Sequence, residues 1–273
     1  MNHPETILNL KHYRKINDYL KSLKYAENDI RLEYFQYMSS ILDRFHKGFA
    51  TMDLIKYIYD NKIIWDKILE SESFSSIFVD YLDRPHWNAY FNDLSRRLII
   101  DSWSIFELTI TQLLDYLLPQ NEKDSFINKE YNEIKSILDE NNIDELKRKR
   151  IEKLLSKGQM FKNHITHVSI PRRYDKVFKY IRSDYSRDLG DDKKFLKCFG
   201  TYRNTMHMNQ FFSGKDFQFA FDGLLFSFKN NEPVSTPREP WEARVVIELT
   251  EIVKEIFNCI NSDFIESKIY YHT

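Results

Sequence analysis

Between Pro85 and Pro119 the chain carries one long run, HWNAYFNDLSRRLIIDSWSIFELTITQLLDYLLP, with apolar residues recurring at three-to-four spacing. That period predicts an α-helix, and proline punctuates both ends because it removes a backbone donor and restricts the residue before it. Such a run spans about 45 Å as one helix. Its centre is apolar almost all round, which demands burial on several sides. A chain built around this element must fold as packed helices. Composition agrees: 6 Gly and 7 Pro in 273 residues leave little punctuation for a many-stranded sheet, and 42% hydrophobic residues supply a sizeable core.

The same period recurs elsewhere. Within residues 5–72, ILNLKHYRKINDYLKSL, DIRLEYFQYMSSILDRF and TMDLIKYIYDNKIIWDKIL each predict a helix, with Asn28 or Asp29 and then Thr51 as N-caps. Residues 120–157 are charge-rich and amphipathic, and DELKRKRIEKLLSK reads as a solvated helix face. An extended piece at Val168 to Pro171 re-enters a helix, and the acidic start of DLGDDKKFLKCFG opens the helix that carries FGTYRNTMHMNQFF.

Beyond that stretch the period changes to two. Phe217, Phe219 and Phe221 alternate in DFQFAF, Asp222-Gly223 supplies an I′-type turn, and LLFSFK follows, so residues 217–229 predict a β-hairpin. The chain then closes with the amphipathic WEARVVIELTEIVKEIFNCINSDF. The expected fold is mainly α, a helical bundle with one small β-hairpin. Residues 1–85 are expected as an N-terminal helical extension packed on a domain of residues 86–273.

Lys and Arg number 40 against 41 Asp and Glu, so the chain has no global attraction to nucleic acid or membrane, and polyanion binding would need a local patch. The N-terminal MNHPETILNLKHYRK has no apolar signal-like core, and no apolar run reaches the roughly 18 residues of a membrane span. The expectation is a cytoplasmic protein with no membrane partner, in which Cys198 and Cys259 stay as reduced, buried thiols.

Most enzyme signatures are missing: there is no glycine-rich phosphate loop, nucleophile elbow or HExxH. His164 and His167 have metal-compatible spacing but no nearby Cys, Asp or Glu to complete a shell, so no metal or cofactor is expected. Arg172 and Arg173 could meet a phosphate or RNA backbone. Arg203 and His207, at i and i+4, point the same way on a helix. A permanent cation beside a group that moves protons near neutrality suits RNA cleavage without metal, the imidazole near the 2′-hydroxyl and the guanidinium on the phosphorane. Asn204 can orient a neighbour by hydrogen bonding. The same spacing also fits a purely structural helix in which Arg203 pairs with a buried carboxylate.

YRNTMHMNQFF, preceded by KFLKCFG, resembles the Arg-Asn…His signature of the HEPN superfamily, helical domains frequent among bacterial toxins, abortive-infection proteins and RNA-targeting defence effectors. IIDSWSIFELTITQLL, with an acid inside an apolar run, is similar to the first core helix of such domains, and the likeness covers about residues 86–265. The resemblance implies a HEPN-like bundle and a metal-independent endoribonuclease, a toxin or antiphage effector with RNA as substrate. Arg203 and His207 take its two named positions and Asn204 its usual follower. Glu107, with Asp101 as the alternative, supplies the acid expected to pair with Arg203. It further implies a homodimer with a composite cleft and a partner antitoxin or defence protein. Three residues, Asn204 to Met206, separate Arg from His here, where catalytic members usually have a longer spacer. Non-catalytic relatives use the fold to bind a nucleotide or a partner, which is the alternative expectation.

Overall fold

In the computed structural model, residues 14–70, 84–128, 144–149, 168–207, 211–237 and 241–267 are described. The chain is mostly helical. Helix α1 spans Ile30–Asp60, α2 Lys62–Leu69, α3 Arg84–Leu117, α4 Gln120–Ile127, α5 Ile170–Ile181, α6 Leu189–His207 and α7 Glu242–Asn258. A short helical segment over residues 14–22 precedes α1. Strands β1 (Phe217–Phe221) and β2 (Leu224–Phe228) form a two-stranded antiparallel sheet. The long apolar run is thus one helix, α3, as its period predicts. Backbone contacts group the chain into two compact units, Met1–Phe106 with Ser186–Thr273, and Glu107–Tyr185.

In the first unit, α1 begins at Asp29, whose carboxylate accepts the Arg31 backbone N–H at 2.9 Å as an N-cap. Asp29 is fully buried and also takes two hydrogen bonds from the Arg31 guanidinium, at 2.9 and 2.7 Å. Arg31 in turn donates to the carbonyls of Ser262 and Asp263, and Ile30 N–H to that of Ile265. This knot fastens the start of α1 to the segment after α7, and Tyr34 and Phe35 of α1 meet Phe257 of α7 edge-on.

Thr51 is no cap. Helix α1 runs through it, and its hydroxyl donates to the Lys47 carbonyl at 2.8 Å, the interior alternative that threonine always has. The break falls at Asn61, whose side chain caps α2. The extended piece before α5 is also shorter than expected. Only residues 168–169 precede the helix, and Pro171 lies in its first turn, where a missing N–H costs nothing.

The hairpin follows its sequence closely. Phe217 pairs with Phe228 and Phe221 with Leu224, and the turn has φ of 47° at Asp222 and 76° at Gly223, as a I′ turn requires. Leu224, Phe226 and Phe228 turn inward, while Phe219 and Phe221 meet Phe195 of α6. Neither Cys198 nor Cys259 is joined in a disulfide among the described residues. Burial pushes the Cys198 thiol up to about 12. Cys259 is only half-buried, against expectation, because it sits at the C-cap where α7 ends.

Candidate functional site

The motif helix α6 opens under Asp188, whose carboxylate accepts the Asp191 N–H at 2.9 Å, with Asp191 and Asp192 in the first turn. Asp192 is buried and hydrogen-bonded by Arg187 at 2.9 and 3.0 Å, and Arg187 also reaches Glu248 of α7. The Asp192 hydrogen bond raises the pKa of Arg187, against the opposing effect of burial. This charged clamp fixes the N-terminal end of α6 on α7. Farther along, Gly200 lets the helix approach the buried indole of Trp103 in α3, and Phe199 meets the same ring edge-on at 5.3 Å.

With the helix so fixed, Phe195, Phe199, Arg203 and His207 form one row at i+4 spacing. Phe195 and Phe199 are buried, Arg203 is half-buried and His207 is exposed, so the row climbs out of the core toward the helix end. The guanidinium Nη1 of Arg203 donates to the exposed Asn204 Oδ1 at 3.1 Å. Its Nε is buried and meets no acceptor among the described residues. Arg203, Asn204 and His207 therefore come together on one short stretch of helix, two of the three facing solvent.

The carboxylates stand otherwise. Asp101 pairs with Arg44 at 3.6 Å. Glu107 belongs to the second unit, where its charge acts on Arg173, favouring the cation that burial disfavours. Arg173 is further held by the Val168 carbonyl at 2.7 Å and by the Thr111 hydroxyl. Arg172 donates to the Phe126 carbonyl at 3.3 Å and stands over the Phe126 ring. In that unit both arginines tie α5 to its neighbours.

His164 and His167 lie outside the described residues. Among the described residues, no group of three His, Cys, Asp or Glu is gathered as a metal site, and no helix is long and apolar enough to cross a membrane.

Sequence reasoning missed a cavity of about 230 Å³ in the first unit, on another face of α6. Tyr202, Thr205 and Met206 line it from α6, Arg96 from α3 and Glu242 from the start of α7. A signal was available: Asn92, Ser95 and Arg96 fall at i, i+3 and i+4, a polar stripe at the head of an otherwise apolar run. No protein-family model, curated protein or solved structure matches this chain.

Proposed function

We propose that this chain is a metal-independent endoribonuclease of the HEPN type, acting as a bacterial toxin or antiphage-defence effector. The observation behind the reading is the outward row of Arg203 and His207 on α6, with Asn204 bonded to the guanidinium. In this chemistry His207 takes the proton of a ribose 2′-hydroxyl. The 2′-oxygen attacks the adjacent phosphorus as the P–O5′ bond breaks, and the leaving 5′-oxygen takes a proton from water. Arg203 supplies positive charge to the phosphorane at any working pH, so the step needs no metal. Asn204 fixes the orientation of the guanidinium fork.

Glu107 enters the reading through the family resemblance, and Arg172 and Arg173 through the fit of a guanidinium pair to phosphate. The same resemblance suggests a homodimer with a composite cleft and a partner antitoxin or defence protein. The three-residue spacer favours a second reading, a non-catalytic HEPN-like module that binds a nucleotide or a partner protein.

An RNA oligonucleotide and its all-DNA counterpart, each incubated with the purified chain in EDTA, separate the two. The ribonuclease reading expects the RNA alone to be cut, leaving 2′,3′-cyclic phosphate ends. Intact RNA, across total RNA as well as the oligonucleotide, would favour the binding module.

A further inference from the structure

The outer edge of the hairpin carries chemistry that the ribonuclease reading does not use. The two-residue turn at Asp222-Gly223 makes Phe221 and Leu224 a hydrogen-bonded pair, and alternation then assigns Phe217, Phe219 and Phe221 to the ladder with β2. The N–H and C=O groups of Gln218 and Ala220 therefore point the other way. Strand β2 shows the same alternation: Ser227, opposite Gln218, exchanges two hydrogen bonds of 3.0 Å with Ser235 on its own outer side. Strand β1 has no such neighbour among the described residues, and Gln218 and Ala220 are exposed. Natural edges are commonly guarded by a charge, a proline or a bulge, and FQFAF contains none. Phe217, Phe219 and Phe221 are only half-buried, so an apolar strip runs along this open side. Two ammoniums flank its start. Lys197 of α6 stands over the Phe217 ring at 5.7 Å, and because Phe228 stacks on one face of that ring at 4.3 Å, the ammonium lies on the side away from β2. Lys215, two residues before β1, is exposed, and neither lysine meets a carboxylate among the described residues.

We infer that β1 takes up an extended peptide segment of a partner protein as an added strand, apolar at alternate positions and acidic where it passes Lys197 and Lys215. Gln218 and Ala220 offer two N–H donors and two C=O acceptors in register, and a β-strand is the ligand that satisfies all four. Alternate side chains of such a strand fall beside Phe217, Phe219 and Phe221 and complete their burial. The two lysines select the sign of charge at the Phe217 end. A carboxylate there gains an ion pair, and a lysine or arginine is repelled. A second copy of β1 fits less well. Paired antiparallel through Gln218 and Ala220, it would set the exposed Asp216 opposite Asp222 of the copy, and like charges so placed destabilise a ladder.

Fluorescence anisotropy tests this on the full chain, with no RNA cleavage in the readout. The probe is a labelled, end-blocked hexapeptide, glutamate followed by alternating valine and threonine. Its counterparts carry lysine in place of the glutamate, or proline at the centre. The glutamate peptide should bind about tenfold or more tightly than either counterpart. Ala220→Pro removes an outward N–H and no ladder bond, which edge strands tolerate, and should weaken binding about tenfold. Lys197→Glu combined with Lys215→Glu should reverse the preference in favour of the lysine peptide. Melting curves verify that the variants are folded, and the charge reversal decides alone if Ala220→Pro is not. Failure of the glutamate peptide to bind at millimolar concentration overturns the inference. So does binding that ignores charge, or binding that a folded Ala220→Pro retains in full. A poly-uridine oligonucleotide bound through the two lysines, with no peptide bound, overturns it as well.

Discussion

Arg203 is where function and stability part company. A guanidinium that pairs with a buried carboxylate is expensive to remove, because the abandoned acid costs several kcal/mol. Arg203 instead spends Nη1 on its exposed neighbour Asn204 and keeps a buried Nε with no acceptor among the described residues. An unsatisfied buried donor already costs about 1–3 kcal/mol. Arg203→Met retains the half-buried stem and removes that donor, so it should leave the melting temperature unchanged or raise it. A loss beyond about 2 kcal/mol in chemical denaturation would assign Arg203 an ion-pair role instead. Sequence alone placed Arg203 and His207 on one face through their spacing. It could not say which carboxylate goes where, because Asp101 and Glu107 sit in the same apolar run and their cations, Arg44 and Arg173, lie far off in sequence.

At the scale of elements, the strongly periodic pieces were legible. Helix α3, the hairpin and its turn follow from local pattern, since period and turn chemistry act over a few residues. Thr51 was misread because a threonine that caps a helix and one that bonds its own i−4 carbonyl look alike in sequence. Gly200 also hides its role. In a helix interior glycine costs about 0.8–1.0 kcal/mol relative to alanine, so Gly200→Ala would stabilise an isolated α6. Here the added Cβ would fall 2.7 Å from Cζ2 of the buried Trp103 indole, a rigid ring with little room to give. Overpacking of this kind typically costs about 1–3 kcal/mol. Gly200→Ala should therefore lower stability by about 1–2 kcal/mol in urea denaturation; a gain in stability would mean that α6 and α3 can slide apart freely.

At the scale of the molecule, the first unit is closed by contacts between distant parts of the chain. Asp29 reads in sequence only as a helix cap. Its fully buried pairing with Arg31, and the hand-over of Arg31 to the carbonyls of Ser262 and Asp263, emerge only once the start of α1 meets the segment after α7. Asp29→Ala takes the carboxylate away from a buried guanidinium and removes the cap, and should cost about 3–5 kcal/mol. Calorimetry giving a loss under about 1 kcal/mol would mean that this knot closes nothing. The cavity was hidden for a similar reason: the stripe of Asn92, Ser95 and Arg96 was visible, but Glu242 and Trp241, which complete the walls, come from nearly 150 residues downstream.

The proposed cleavage of RNA by Arg203 and His207 without metal is tested most directly by a single-turnover rate on an RNA oligonucleotide in EDTA. Wild-type protein should cut it. His207→Ala should slow cleavage by about 10²–10⁴-fold, the usual worth of one general acid–base group. Arg203→Met should slow it as well while melting like wild type. Cleavage that survives His207→Ala undiminished, or wild-type protein inert toward RNA, would contradict the account.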